Sequence, residues 1–154
     1  MDEIDRNLVV ALQQDGSSGL AELAKVAGLS VSATAERVKR LEERGVIRAW
    51  RADLDPAAVG CPLLAHVLAA VAPGRDDAAF REAVAREEVV LECHAVSGAW
   101  TYLLKLRVAD LAALDGLLNG TLRALPGVQR VETMVALATV KESALLPVAP
   151  ATEE

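Results

Sequence analysis

The stretch Gly28-Leu29-Ser30-Val31-Ser32-Ala33-Thr34-Ala35-Glu36-Arg37-Val38-Lys39-Arg40-Leu41-Glu42-Glu43-Arg44-Gly45 decides the architecture of the N-terminal third. Gly28 suits the left-handed C-terminal cap of one helix, and Ser30 suits the N-cap of the next. Val31, Ala35, Val38 and Leu41 then recur at helical spacing until Gly45, which predicts a helix from about Val31 to Arg44. Upstream, Leu20, Leu23, Ala24 and Ala27 make a shorter stripe. A longer one, Ile4, Leu8, Val9, Ala11 and Leu12, is closed by Asp15-Gly16-Ser17-Ser18-Gly19. A short helix, a three-residue turn containing Gly and a longer helix is the layout of a helix-turn-helix.

The outer face of the third helix has a chemistry of its own. At its start, Ser32, Ala33, Thr34, Glu36 and Arg37 are small or polar and permit close approach to base edges in a major groove. Arg40 and Arg44 belong nearer the phosphates, and Lys39 is a further DNA-binding candidate. Beyond Gly45, the alternating Ile47-Arg48-Ala49-Trp50-Arg51-Ala52-Asp53-Leu54 reads as a strand in the place of a wing, with Arg48 on one side. The plainer account of these cations is a solvated face paired with Glu36, Glu42 and Glu43. The helix-turn-helix before them and the wing after them favour double-stranded DNA.

The bulk composition agrees once its distribution is considered. The 154 residues carry a net charge of −6, yet residues 25 to 51 hold seven Lys and Arg against three Glu, a net of +4. Salt screens exposed charges beyond about 8 Å, so the local field governs phosphate attraction. Hydrophobic residues make up 53% and aromatics only 3%, which describes foldable domains with aliphatic cores. No apolar run approaches the roughly 18 residues of a membrane span, and the acidic start Met1-Asp2-Glu3-Ile4-Asp5 is unlike a secretory signal, so a cytoplasmic protein is expected. Cys61 and Cys93 match no disulfide framework or metal spacing.

Asp55-Pro56 and Gly60-Cys61-Pro62 interrupt the chain. The expected organisation is therefore a winged helix-turn-helix at 1–54, a hinge at 55–62, a second domain at 63–142 and a frayed, proline-bearing tail at 143–154. In the second domain, Leu63 to Val71 is strand-like, and Pro73-Gly74-Arg75-Asp76-Asp77 leads into a helix with Phe80 and Val84 inward. A strand from Val89 to Ser97-Gly98 and another over Tyr102 to Val108 form a hairpin. Asp110 caps a helix carrying Leu111, Leu114, Leu117, Leu118 and Leu122, and Val128 to Val140 supplies the last strand. The order β-α-β-β-α-β is the ferredoxin-like plan, giving an α+β protein overall.

Two sets of residues resemble a known family. Gly28-Leu29-Ser30-Val31-Ser32, Arg37-Val38-Lys39-Arg40-Leu41-Glu42-Glu43 and Gly45-Val46-Ile47 resemble the DNA-binding signature of the Lrp/AsnC (feast/famine) regulators. Val90-Leu91-Glu92-Cys93-His94-Ala95-Val96-Ser97-Gly98, Tyr102-Leu103-Leu104 and Leu125-Pro126-Gly127-Val128-Gln129-Arg130-Val131-Glu132-Thr133 resemble that family's C-terminal effector (RAM) domain. The resemblance covers about residues 1 to 142. It implies a transcriptional regulator and not an enzyme, a dimer paired sheet to sheet, octamers of such dimers, and an amino-acid effector bound near the central hairpin. The implied effector residues are Ser97, Gly98, Ala99, Trp100 and Thr101, with Thr133 nearby. Trp100 would wall an apolar side chain or simply pack in an interface. The family commonly has Asp at the place of Thr101, and a hydroxyl suits an ammonium group less well. The effector implied is thus a different amino acid, another metabolite, or none.

Other chemistries are weaker. His66 and His94 are the only histidines, and Cys93 and His94 point to opposite faces of one strand, so neither a catalytic nor a metal site is expected and no cofactor is called for. Siroheme decarboxylases resemble these regulators along the chain and use histidines, which makes His94 the basis of an enzymatic alternative. A DNA-wrapping architectural protein without a small ligand is the other.

Overall fold

The computed structural model describes residues 1–149, in two compact units: residues 1–53 with the stretch from Lys141, and residues 54–140. The first unit holds three helices, α1 (Glu3–Gln14), α2 (Leu20–Ala27) and α3 (Val31–Glu43). Asp2 starts α1 by accepting from the Asp5 N–H at 2.8 Å. Gly28 sits at φ 64°, where an L side chain is disfavoured, and closes α2 with its N–H on the carbonyls of Ala24 and Lys25. Ser30 accepts from the Ala33 N–H and opens α3. Leu8, Leu12, Leu23, Ala27 and Leu41 form the core between the helices.

The buried stripe of α3 departs from the expected one. Val31 is 48% exposed and Thr34 is fully buried. Thr34 donates its hydroxyl to the Ser30 carbonyl at 3.0 Å, and a hydroxyl satisfied by its own helix enters an interior at little cost. The wing strand is not formed: among the described residues, none between Gly45 and Leu63 lies in a strand. Ile47 packs against the helical core, and the Trp50 indole N–H donates to the Glu42 carboxylate at 2.6 Å. The alternation is present, but no neighbouring strand supplies ladder partners.

In the second unit β1 (Leu63–Val71), α4 (Arg75–Arg86), β2 (Val90–Ala95), β3 (Tyr102–Val108), α5 (Leu111–Gly120), a 3-10 turn (Leu122–Ala124) and β4 (Val128–Val135) follow in the expected order. The four strands form an antiparallel sheet ordered β2-β3-β1-β4. Strict alternation on β1 and β3 drives one face inward: Ala65, Val67, Ala69 and Val71, with Tyr102, Leu104, Leu106 and Val108. They meet Phe80 and Val84 of α4, Leu114, Leu117 and Leu118 of α5, and Leu122. The other face of the two central strands, Leu64, His66, Leu68 and Ala70 beside Leu103, Lys105 and Arg107, is only half-buried.

Two strand ends fall short of expectation. β2 stops at Ala95, and β4 stops at Val135 because Leu137 and Val140 pass beyond the sheet, 100% and 99% exposed. The tail is better held than expected. The Gln13 side-chain amide pairs with the backbone of Leu146, accepting from its N–H at 2.7 Å and donating to its carbonyl at 3.1 Å. Residues 150–154 of the expected frayed segment lie outside the described residues.

Candidate DNA-binding face and effector loop

Helix α3 presents Ser32, Ala33, Glu36, Lys39, Arg40 and Arg44 to solvent. Thr34 leaves that set, because its buried side chain cannot meet a base edge. Much of the positive charge is already matched. Arg40 pairs with Glu36 at 3.1 Å and Lys39 with Glu43 at 3.7 Å, both one turn apart and exposed. Such surface pairs contribute only about 0.3–0.5 kcal/mol each, so a phosphate displaces them at small cost. Arg37 differs: its guanidinium turns toward α1 and meets both Asp2 and Asp5 at 2.7 Å. Asp2 is held below its ordinary pKa, first by the Asp5 backbone N–H and then by Arg37. Arg48 lies in the exposed segment after α3, and among the described residues no ion pair involves Lys25, Arg48 or Arg51.

The loop between β2 and β3 carries Ser97, Gly98 and Ala99 exposed, with Trp100 and Thr101 half-buried. Gly98 stands at φ 109° with open space where a side chain would project. An L residue is strained at that angle, and the absent Cβ leaves the backbone accessible. Thr101 ties the loop to the end of β1. Its N–H donates to the Ala69 carbonyl at 2.9 Å, and its hydroxyl accepts from the Val71 N–H at 3.0 Å while donating to the Val71 carbonyl at 3.3 Å. The hydroxyl is thus spent on the fold, a use that spacing alone did not reveal. The Arg130 guanidinium lies 4.0 Å over the Trp100 ring, a cation–π contact that orients the indole.

Thr133 stands apart from that pair. Strand alternation puts Thr133, opposite Val67, on the helix-covered face, and Arg130, opposite Ala70, on the other. The Thr133 hydroxyl is buried without a hydrogen-bond partner. Arg130, beside the loop, is not foreshadowed by the sequence pattern, because a stacked cation and aromatic 30 residues apart leave no local signal. His94 is exposed and pairs with Glu92 at 3.1 Å, which also meets Lys105 at 3.4 Å; these partners hold the Glu92 carboxyl below its ordinary pKa, His94 most. Cys93, next to it on β2, has the opposite parity, and though the residue is exposed, partial desolvation of its thiol pushes the pKa up. Among the described residues no cluster of three His, Cys, Asp or Glu could hold a metal ion. No helix there is long and apolar enough to cross a membrane.

Two family models match the chain. Residues 1–42 match the AsnC-type helix-turn-helix domain, and residues 65–146 match the Lrp/AsnC ligand binding domain. The chain is 43% identical over 145 residues to the leucine-responsive regulatory protein of Escherichia coli K12, covering 93% of this chain and 88% of that protein. The leucine-responsive regulatory protein of Haemophilus influenzae is 42% identical over 148 residues, covering 95% and 89%. A transcriptional regulator of Neisseria meningitidis, solved as its L-methionine complex, superposes with a TM-score of 0.91 at 29% identity over 96% of each chain. The feast or famine regulatory protein of Mycobacterium tuberculosis, also solved with L-methionine, gives 0.85 at 39% identity over 94% of this chain and 97% of that one. With a reading helix on one unit, a sheet-and-helix unit on the other and both family signatures in this order, the chain belongs to the Lrp/AsnC family of transcriptional regulators.

Proposed function

We propose that this chain is a DNA-binding transcriptional regulator that acts as a homo-oligomer and is tuned by an amino acid. The observation that carries the reading is α3 itself. It is capped by Ser30, anchored through Leu41, and presents Ser32, Ala33 and Glu36 at its N-terminal end with Arg40 and Arg44 behind them. Small side chains at the leading end admit the helix to a major groove, and the cations further along suit phosphates. Glu36 is a selective element, since a carboxylate accepts from cytosine N4 and repels nearby phosphate. Arg48 adds a cation beyond the helix.

The effector loop is Ser97, Gly98, Ala99 and Trp100, braced by Thr101. An amino-acid carboxylate suits the accessible backbone N–H groups around Gly98, and an aliphatic or thioether side chain suits the Trp100 face. Thr133, on the covered side of the sheet with its hydroxyl buried, lies behind this surface and takes no part in it. The L-methionine bound by the two solved relatives makes methionine the first ligand to test here. The half-buried sheet face around Leu64, Leu68 and Leu103 is the surface for a second copy, and the amino acid acts on that assembly. The reading carries no catalytic step and places the protein in the cytoplasm with its DNA.

The test is a footprint on DNA fragments selected from a genomic library, with and without amino acids, beside a thermal-shift screen of the same compounds. A discrete footprint that changes with a compound that also raises Tm supports the reading. Uninterrupted protection of every fragment, indifferent to all amino acids, supports a DNA-wrapping role instead.

A further inference from the structure

Arg37 occupies the middle of the reading helix but does not behave as its neighbours do. Its side chain is 30% exposed, against 65% for Arg40 and 55% for Arg44. One guanidinium nitrogen is shared between Asp2 and Asp5, 35 and 32 residues back in the chain. Asp5 is 8% exposed, its carboxylate lining a 260 Å³ cleft between α1 and α3, and Arg44 approaches its other oxygen at 3.9 Å. Asp2 is the N-cap of α1, so the group that starts α1 also ends on α3.

The apolar packing of α3 shows why such a tie matters. Leu41, in the C-terminal half, is the large buried side chain of the helix, with Val38 beside it. The N-terminal half, which meets the bases, buries only Thr34, with Ala35 half-buried and Val31 exposed. Leu29, just before α3, packs against the same core, so apolar contacts hold the helix at its start and at Leu41, and its tilt toward α1 between those points is left to a polar tie. The pair of charge-assisted bonds from Arg37 is the polar tie nearest the N-terminal half, and two carboxylates converging on one guanidinium nitrogen set direction as well as distance.

We propose that Arg37 is a positioning residue for DNA recognition: through Asp2 and Asp5 it sets the angle of the reading helix and makes no phosphate contact of its own. The proposal rests on the DNA-binding reading above. Two opposite expectations separate positioning from contact. Loss of a phosphate contact lowers the slope of log K against log salt by about 0.9 per site, whereas loss of a positioning tie weakens binding and leaves the slope unchanged. Loss of the Asp5 charge strengthens binding if only the local field counts, and weakens it if the tie counts.

The experiment is a fluorescence-anisotropy titration of the full-length protein on a duplex selected from genomic DNA, repeated across potassium chloride concentrations. Wild-type protein that binds no duplex refutes the DNA-binding reading itself. With wild-type binding in hand, Arg37→Ala is expected to weaken it by about tenfold at every salt concentration with an unchanged slope. Asp5→Asn weakens binding too, Arg37→Lys restores part of it, and the double variant Arg37→Ala/Asp5→Asn loses no more than the worse single one. Asp2→Asn removes only the more exposed arm, leaves the core intact and produces a smaller loss, which keeps the test decisive should an Asp5 variant fail to fold. A reduced slope for Arg37→Ala, or unchanged or tighter binding by both Asp2→Asn and Asp5→Asn, overturns the proposal.

Discussion

Replacing Thr101 by Val isolates the hydroxyl that braces the effector loop. The two side chains have nearly the same shape, and the backbone bonds from the Thr101 N–H to Ala69 and from the Val96 N–H to the Thr101 carbonyl are untouched. What is lost is the pair of bonds with Val71, at 3.0 and 3.3 Å. A neutral hydrogen bond contributes about 0.5–1.5 kcal/mol; with the second one long and the site half-buried, the total is about 1–2 kcal/mol. For a unit of this size that lowers Tm by about 4–16 °C. Differential scanning calorimetry at fixed protein concentration measures it, since oligomer Tm depends on concentration. Thr101→Ser, which keeps the hydroxyl, should stay near wild type. A Thr101→Val protein as stable as wild type would refute the bracing role, and an unchanged effector response in a destabilised variant would separate the brace from ligand binding.

Gly127 stands at φ 79°, and a Cβ there would lie 2.3 Å from the Asp76 Cβ, so Gly127→Ala should destabilise the second unit by more than about 2 kcal/mol, measurable by urea denaturation. Leu41→Ala, at 1% exposure, should cost the helical unit about 2–5 kcal/mol by the same method. The Asp2 carboxyl is depressed in the folded state, so its stabilising contribution is present above its ordinary value of 3.8 and is lost as pH falls through the lower folded value. Asp2→Asn should therefore flatten the acid limb of the Tm–pH profile, and an unaltered limb would count against the pairing. Arg130→Ala removes the cation over Trp100, and a change in tryptophan emission on adding effector should then differ from that of wild type.

The parts of the fold that read well from sequence were those set by neighbours in the chain. Gly28 and Ser30 cap adjoining helices through groups at most four residues away, and both stand where the local chemistry asks. β1 and β3, paired on both sides, keep their expected limits, because strict alternation with a buried face leaves one register. The segments that read badly lack such partners: residues 47–54 alternate without a neighbouring strand, and the expected run of the last strand to Val140 passes the end of β1 at Leu63. At the site, Ser32, Ala33, Glu36, Arg40 and Arg44 are exposed as their positions on the helix require. Arg37 and Thr101 are bound by partners 30 or more residues distant, Gln13 and Leu146 by 133, and such pairings carry no periodic signal.

The measurement that tests the central claim most directly is the affinity for a genomically selected duplex, by anisotropy, across a salt series with and without L-methionine. The account predicts specific binding that falls steeply with salt, because several phosphates are engaged by each copy in the oligomer, and an affinity that shifts when methionine or another amino acid is added. Binding no tighter than to an unrelated duplex, with the same affinity in the presence of every amino acid, would contradict it.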